Sequence, residues 1–181
     1  TVDSTFTRTN GDYTLSITNP HYGLPYGSIP RLLLAWLATE AIKTKSPEII
    51  LGSSLSEFMA QLDMVPTGGR WGSITRLKEQ STRLFSSMIQ CSYSTNDRDV
   101  IKNITIADEA DLWWSPKSPN QQSLLNSAVR LSGSFYDEIT SNPVPIDLRA
   151  LKALKKSPMA LDVYCWTTHR VSYLKRETCI P

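Results

Sequence analysis

Residues 52–88 carry the pattern that most restricts the fold of this chain. Ser54 and Glu57 have the spacing of a capping box, in which each side chain satisfies an unpaired amide at the start of a helix. A turn containing Pro66 and a Gly-Gly pair follows, and then a longer segment with apolar residues at helical spacing. Many proteins use two helices joined in this way to place the second helix in the DNA major groove. The segment therefore predicts a helix-turn-helix.

The second helix of this pair is predicted to be apolar on one side and basic on the other. The apolar side consists of Ile74, Leu77, Leu84, Phe85 and Met88, with Ser81 among them. At about 100° per residue, the opposite side collects Arg76, Glu79 and Arg83, with Gln80 on its flank. Burial of the apolar side would turn the opposite side outward, so we expect that side to form a surface that could read DNA.

Contacts of this helix with DNA would divide between phosphates and bases. The cations that can neutralise phosphates, which gives affinity without sequence information, are Arg70, Arg76, Lys78 and Arg83. Arg76 and Arg83 can also pair with guanine edges, and Gln80 with adenine. Ser73 can bond a phosphate together with the exposed amides at the helix start. The alternative is an ordinary solvated face, on which Arg76 or Arg83 pairs with Glu79.

A β-hairpin is predicted directly after this helix, in the position of the wing of a winged-helix domain. Residues 88–93 and 100–106 read as two strands around a polar turn. Arg98 and Lys102 are candidate wing contacts with DNA, although acidic neighbours weaken the case for both. This order of elements indicates an α+β fold, a winged helix built from a helix-turn-helix and β-hairpins.

The flanking segments complete a predicted domain that spans residues 1–142. A short strand at 13–17 precedes a helix opened by Pro30, and the wide apolar stripe of that helix predicts deep burial. Residues 124–131 and 134–140 predict a second hairpin. Trp113 and Trp114 lie between the two hairpins, and such a pair is typical of core packing or, if it is exposed, of a subunit interface.

Residues 143–181 are predicted to form a connector and the first helix of a second, truncated domain. Asp147 caps a short basic helix, and Ser157 with Pro158 starts the next one. The cations of the short helix can either face solvent or follow a DNA backbone; they are Lys152, Lys155 and Lys156. The second helix has apolar residues on more than one side, which predicts a further layer against it.

Composition restricts the classes of function. The net charge is only +2, but basic blocks at 70–83 and 149–176 predict local sites for polyanions. The three cysteines are far apart and the two histidines isolated, so we expect no metal site, no cofactor and no catalytic constellation. No apolar run reaches the length of a membrane span, and a reduced, cytosolic protein fits best.

Four motifs, in this order, resemble one known family. They are GLPYGSIPRLLLAWLATEA, LGSSLSEFMAQL, TGGRWGSITRLKEQSTRLF and PIDLRALKALKKSPMALDVYCWTTHRVSYL. Together they resemble the plasmid-encoded RepA family of replication initiators over most of the chain from Gly23 to Leu174. The resemblance implies a bacterial, plasmid-associated, cytoplasmic protein without catalytic activity. Such initiators bind repeated sites in double-stranded origin DNA, called iterons, and help to open the duplex for host replication proteins.

The resemblance also implies the arrangement of domains. Related initiators contain two winged-helix domains, of which the first contributes to dimerisation and to contacts with the DNA backbone. This chain would be that first domain plus the opening of the second, and a homodimer is expected. Two alternatives stay open: a winged-helix transcriptional regulator, or a dimerisation module without DNA binding, with the hairpins and Trp113–Trp114 at the subunit interface.

Overall fold

A computed structural model describes residues 4–112 and 127–179, which form six helices and seven strands. The strands are β1 (Thr5–Asn10), β2 (Tyr13–Thr18), β3 (Glu48–Gly52), β4 (Met88–Ser94), β5 (Asp99–Thr105), β6 (Ala107–Asp111) and β7 (Ser127–Leu131). The helices are α1 (Ser28–Thr44), α2 (Leu55–Gln61), α3 (Ser73–Phe85), α4 (Gly133–Ser141), α5 (Leu148–Leu154) and α6 (Pro158–Tyr173). The run α1-β3-α2-α3-β4-β5 is the element order of a winged helix, so the predicted α+β winged-helix class is confirmed.

Helix α1 is the centre of the main core, as its wide apolar stripe predicts. Leu33, Leu37 and Ala41 lie on its buried side, and Pro30 sits in its first turn, where a missing N–H costs nothing. Trp36 is also buried, and its indole N–H donates to the Gln61 Oε1 of α2 over 2.9 Å. A buried indole needs such an acceptor, so this bond fixes α2 against α1.

The helix-turn-helix is present as predicted, with one change in its capping box. The Ser54 Oγ accepts the Glu57 N–H at 3.2 Å, whereas the Glu57 carboxylate accepts the N–H of Ser53, at 2.8 Å, instead of that of Ser54. In α3 the buried side matches the prediction from Ile74 to Leu84. The placement of Met88 on this helix was wrong, because α3 ends at Phe85 and Met88 is an exposed residue of β4.

Two antiparallel sheets extend from this core. Among the described residues, one has the order β1-β2-β4-β5, and the other has the order β3-β7-β6. The predicted wing is confirmed as the β4–β5 hairpin, which pairs Met88 with Thr105 and Ser94 with Asp99. Ile106, between β5 and β6, is buried where the chain passes from one sheet to the other.

The second predicted hairpin was wrong, because residues 134–140 belong to helix α4. Ser132 caps this helix by accepting the Phe135 N–H at 3.1 Å. Phe135, Tyr136 and Ile139 then pack against the main core from one side of the helix. Their residue types favour strands in isolation, but the cap and the packing at helical spacing prevail.

Helices α5 and α6 dock through a smaller apolar cluster around Leu32, Leu151 and Leu161. Arg31 of α1 adds a bidentate ion pair with Asp162 of α6, at 2.6 and 2.7 Å. Both helices start at their predicted caps, Asp147 and Ser157. Helix α6 keeps exposed apolar side chains, so the further layer predicted against it and the domain boundary after residue 142 both stay predictions.

The predicted interface residues Trp113 and Trp114 lie outside the residues that the structure describes. In the described part of the chain, every helix is too short or too polar to cross a bilayer. Within the same residues, the side chains of His, Cys, Asp and Glu form no cluster that could hold a metal ion.

Candidate nucleic-acid interface

The loop between α2 and α3 is held by a network of hydrogen bonds centred on Ser73. The Ser73 N–H donates to the Thr67 Oγ1 and the Thr67 N–H donates to the Ser73 Oγ, both at 2.9 Å. The Ser73 hydroxyl donates in turn to the Val65 carbonyl at 2.6 Å. Ser73 is buried as a result, so the accessible position predicted for its hydroxyl and amide was wrong.

Gln80 and Arg83 face the protein, although the helix projection placed them outward. The Gln80 Oε1 accepts the Tyr26 N–H at 2.8 Å, and only 4% of the residue is exposed. Arg83 donates to the Leu24 carbonyl at 3.1 Å and to the Glu79 carboxylate at 2.8 Å. Its guanidinium also lies 5.1 Å from the centre of the Tyr26 ring. These two side chains hold the loop before α1, and their predicted outward position was wrong.

This arrangement predicts that Arg83→Ala changes stability. Loss of the bonds to Leu24 and Glu79 and of the contact with Tyr26 should lower the free energy of unfolding by about 1–2 kcal/mol. Urea titration followed by circular dichroism measures the change, with the exposed Arg76→Ala as the matched control, expected within about 0.5 kcal/mol of the native chain. An Arg83→Ala chain as stable as the control would contradict the bracing role.

Three cations of the same helix region remain exposed, namely Arg70, Arg76 and Lys78. We call them the basic face. Arg70 stacks on Trp71, with its guanidinium 5.2 Å from the ring centre. Arg76 and Lys78 form no ion pair with any residue in the described ranges. Their charges are therefore available to an external anion, in contrast to the charge of Arg83.

A groove of about 630 Å³ joins Arg76 of the basic face to the two lysines that directly follow helix α5. Its lining includes the apolar residues Leu32, Met64 and Val65 and the cations Arg76, Lys155 and Lys156. More than 70 residues separate Arg76 from these lysines, so sequence reasoning treated them as separate patches. No pattern within either segment indicates the groove, because it depends on how α5 docks on α1.

Lys155 is not a free cation of that groove. Its ammonium contacts the Asp63 carboxylate and donates to the Asp63 carbonyl at 2.6 Å. The hydrogen bond and the charge of Lys155 hold the pKa of the exposed Asp63 carboxyl below its ordinary value. Lys156 is exposed and Lys152 half-exposed, without an ion pair within the described residues. Two of the three predicted cations of this region therefore have no ion-pair partner among the residues that the structure describes.

Of the two predicted wing contacts, one is also an exposed cation and the other is held in an ion pair. Arg98 is exposed at the tip of the β4–β5 hairpin. Lys102 pairs with Glu138 of α4, and its hydrogen bond with that carboxylate lowers the carboxyl pKa. A DNA phosphate would have to compete with Glu138 for Lys102, whereas Arg98 has no such competitor within the described part of the chain.

Comparison with known proteins identifies one family and one fold. A family model described as plasmid-encoded RepA protein matches residues 24–179. A crystal structure of selenomethionine derivatives of domains 2 and 3 of RctB aligns with a TM-score of 0.63 at 11% identity, covering 97% of this chain. A second crystal structure of RctB domains 2–3 aligns with a TM-score of 0.59 at 9% identity, covering 84% of this chain. The chain spans 66% and 60% of the length of these two structures, and no curated protein sequence matches it.

Proposed function

We propose that this chain, which belongs to the family of plasmid-encoded RepA proteins, is part of a plasmid replication initiator. In this proposal it binds double-stranded origin DNA in the bacterial cytoplasm without catalysing a reaction. The iterons, a homodimer and host replication proteins as partners belong to the same proposal. The observation that carries it is the exposed basic face on the second helix of a winged-helix fold.

The basic face supports contacts with phosphates more strongly than contacts with bases. Arg76 and Lys78 are exposed and unpaired among the described residues, so each can release a counterion from a phosphate. The side chain proposed for adenine, Gln80, is buried and bonded to Tyr26. Of the side chains suited to base recognition, Arg76 remains, since it can bind guanine through two hydrogen bonds. This domain is therefore proposed to bind the phosphate backbone of DNA and to discriminate little between base sequences.

Helix α5 and the wing would extend the same contact. Lys156 and Arg76 line one groove, so a phosphate backbone along α3 would pass close to α5. Arg98 at the wing tip is exposed and provides a further contact in this proposal. Lys102, Lys152 and Lys155 are secondary candidates, because two of them are held in ion pairs within the chain and Lys152 is partly covered.

A salt series on labelled duplex DNA tests this proposal. With about four phosphate contacts, the affinity for a duplex from the plasmid origin should fall on the order of 100-fold between about 50 and 200 mM salt. Fluorescence anisotropy measures the affinity, and light scattering on the same samples gives the oligomeric state. A chain that forms a stable dimer but has no affinity for the duplex at low salt would favour the dimerisation module instead. Replication of a plasmid carrying its repeats, driven by the intact parent protein, separates an initiator from a transcriptional regulator.

A further inference from the structure

Trp71 is the most exposed large apolar side chain in the described part of the molecule, with 81% of its surface accessible. Tryptophan is highly buried on average, because its large ring gains from being covered. Trp71 directly precedes Gly72, the N-cap residue of helix α3, and thus adjoins the basic face. So large an exposed ring at the edge of a cationic surface indicates a ligand that can stack on the ring and also carries negative charge for the cations.

The indole is presented by a braced loop. The Thr67–Ser73 hydrogen bonds close this loop from within, and the Thr75 hydroxyl donates to the Gly69 carbonyl at 2.9 Å. The Gly72 N–H bonds to the same carbonyl at 3.1 Å. Because the backbone on both sides of Trp71 is fixed, little order needs to be gained when a ligand stacks on the ring.

The charge around Trp71 favours a polyanion. Arg70 covers the ring from one side at 5.2 Å, and residues 64–78 contain Arg70, Arg76 and Lys78 but no acidic residue. Aromatic rings beside cations are the combination with which proteins hold unpaired nucleic acid, since every base has a flat face that can stack. A paired base within a duplex shows only its edge, so the face of an indole requires a base out of the stack.

We propose that Trp71, with Arg70 behind it, is a stacking platform for an unpaired nucleobase of single-stranded DNA. The base lies on the open face of the indole, while Arg70 and the basic face hold its neighbouring phosphates. This inference rests on the proposed function, because a protein that opens a duplex produces such bases. It gives the chain a second mode of DNA contact, distinct from the grip on the double helix.

Affinities for labelled single-stranded DNA of about 12 nucleotides, RNA of the same length and an origin duplex test this platform. For single-stranded DNA, Trp71→Ala should weaken binding by about 5- to 150-fold, the effect of losing one stacked base, and Trp71→Phe by less. The affinity for duplex should change by less than about twofold, since phosphate contacts determine it. Trp166→Ala is the matched control, because Trp166 is also exposed and stacked with an arginine, Arg170.

Several outcomes would overturn the platform. They are an unchanged single-strand affinity of Trp71→Ala, an equal loss on duplex and single strand, or a change in oligomeric state alone, which would assign Trp71 to a protein contact. A loss on RNA that exceeds the loss on DNA would also overturn the proposal, because it would assign the stacked base to RNA instead of single-stranded DNA. If the native chain fails to bind duplex at all, the proposed function fails, while the single-strand measurements still decide the role of Trp71.

Discussion

Gly72→Ala should destabilise the chain by about 3 kcal/mol, a large effect for the addition of one methyl group. Gly72 is buried at the start of α3, and a Cβ atom there would lie 2.2 Å from the Thr67 carbonyl oxygen and 2.4 Å from that of Gly68. Both neighbours are backbone atoms, so no side chain can rotate away. The loop would have to open, which would disrupt the Thr67–Ser73 bonds that support the basic face.

Thermal or urea unfolding followed by circular dichroism measures this effect, and a decrease in the melting temperature of about 6–12 °C is expected for a chain of this size. Gly68→Ala is the matched control from the same loop. A Cβ at Gly68 meets nothing within 4 Å, so that change should stay within about 0.5 kcal/mol of the native chain. Equal stability of the two variants would show that the loop yields easily and that the basic face has no rigid support.

The sequence predicts those elements of the fold that depend on neighbours along the chain. The buried stripe of α1, the Ser54 cap of α2 and the wing hairpin were each recognisable from local spacing, and each is present. Helix α4 was mistaken for a strand because its residue types favour strands. The segment is a helix because of its cap at Ser132 and its packing against core residues that are distant in the sequence.

The site was less predictable from the sequence, because contacts between residues that are distant in the chain determine which of its side chains are exposed. On a helical projection, Arg83 lies on the same side as Arg76 and Gln80 on the flank of that side, so neither is predicted to face the protein. What turns them inward is the loop at Leu24 and Tyr26, more than 50 residues earlier in the chain. In the same way, Lys155 is removed from the free cations by its ion pair with Asp63, 92 residues earlier in the chain. Composition indicated a basic surface, but the tertiary structure decides which charges are free.

The double substitution of Arg76→Ala and Lys78→Ala should reduce the affinity for duplex DNA more than either single substitution. Each lost phosphate contact lowers the salt slope by about 0.9, so the slope should become less steep by about 1.8. At about 0.1 M salt the counterion term alone then predicts a loss of roughly 60-fold. Both side chains are exposed and alanine favours helices, so the stability of the chain should remain unchanged.

A control variant that loses the same charge elsewhere shows whether the loss of affinity comes from local phosphate contacts or from the lower net charge. Lys43→Ala with Lys175→Ala removes two exposed lysines outside the basic face, from α1 and from the segment after α6. If binding depended on net charge alone, both double variants would lose affinity equally. A loss confined to the Arg76 and Lys78 variant, with the smaller salt slope, would locate the phosphate contacts on α3. Equal losses would contradict the assignment, because the basic face would then be no more than part of a diffuse positive field.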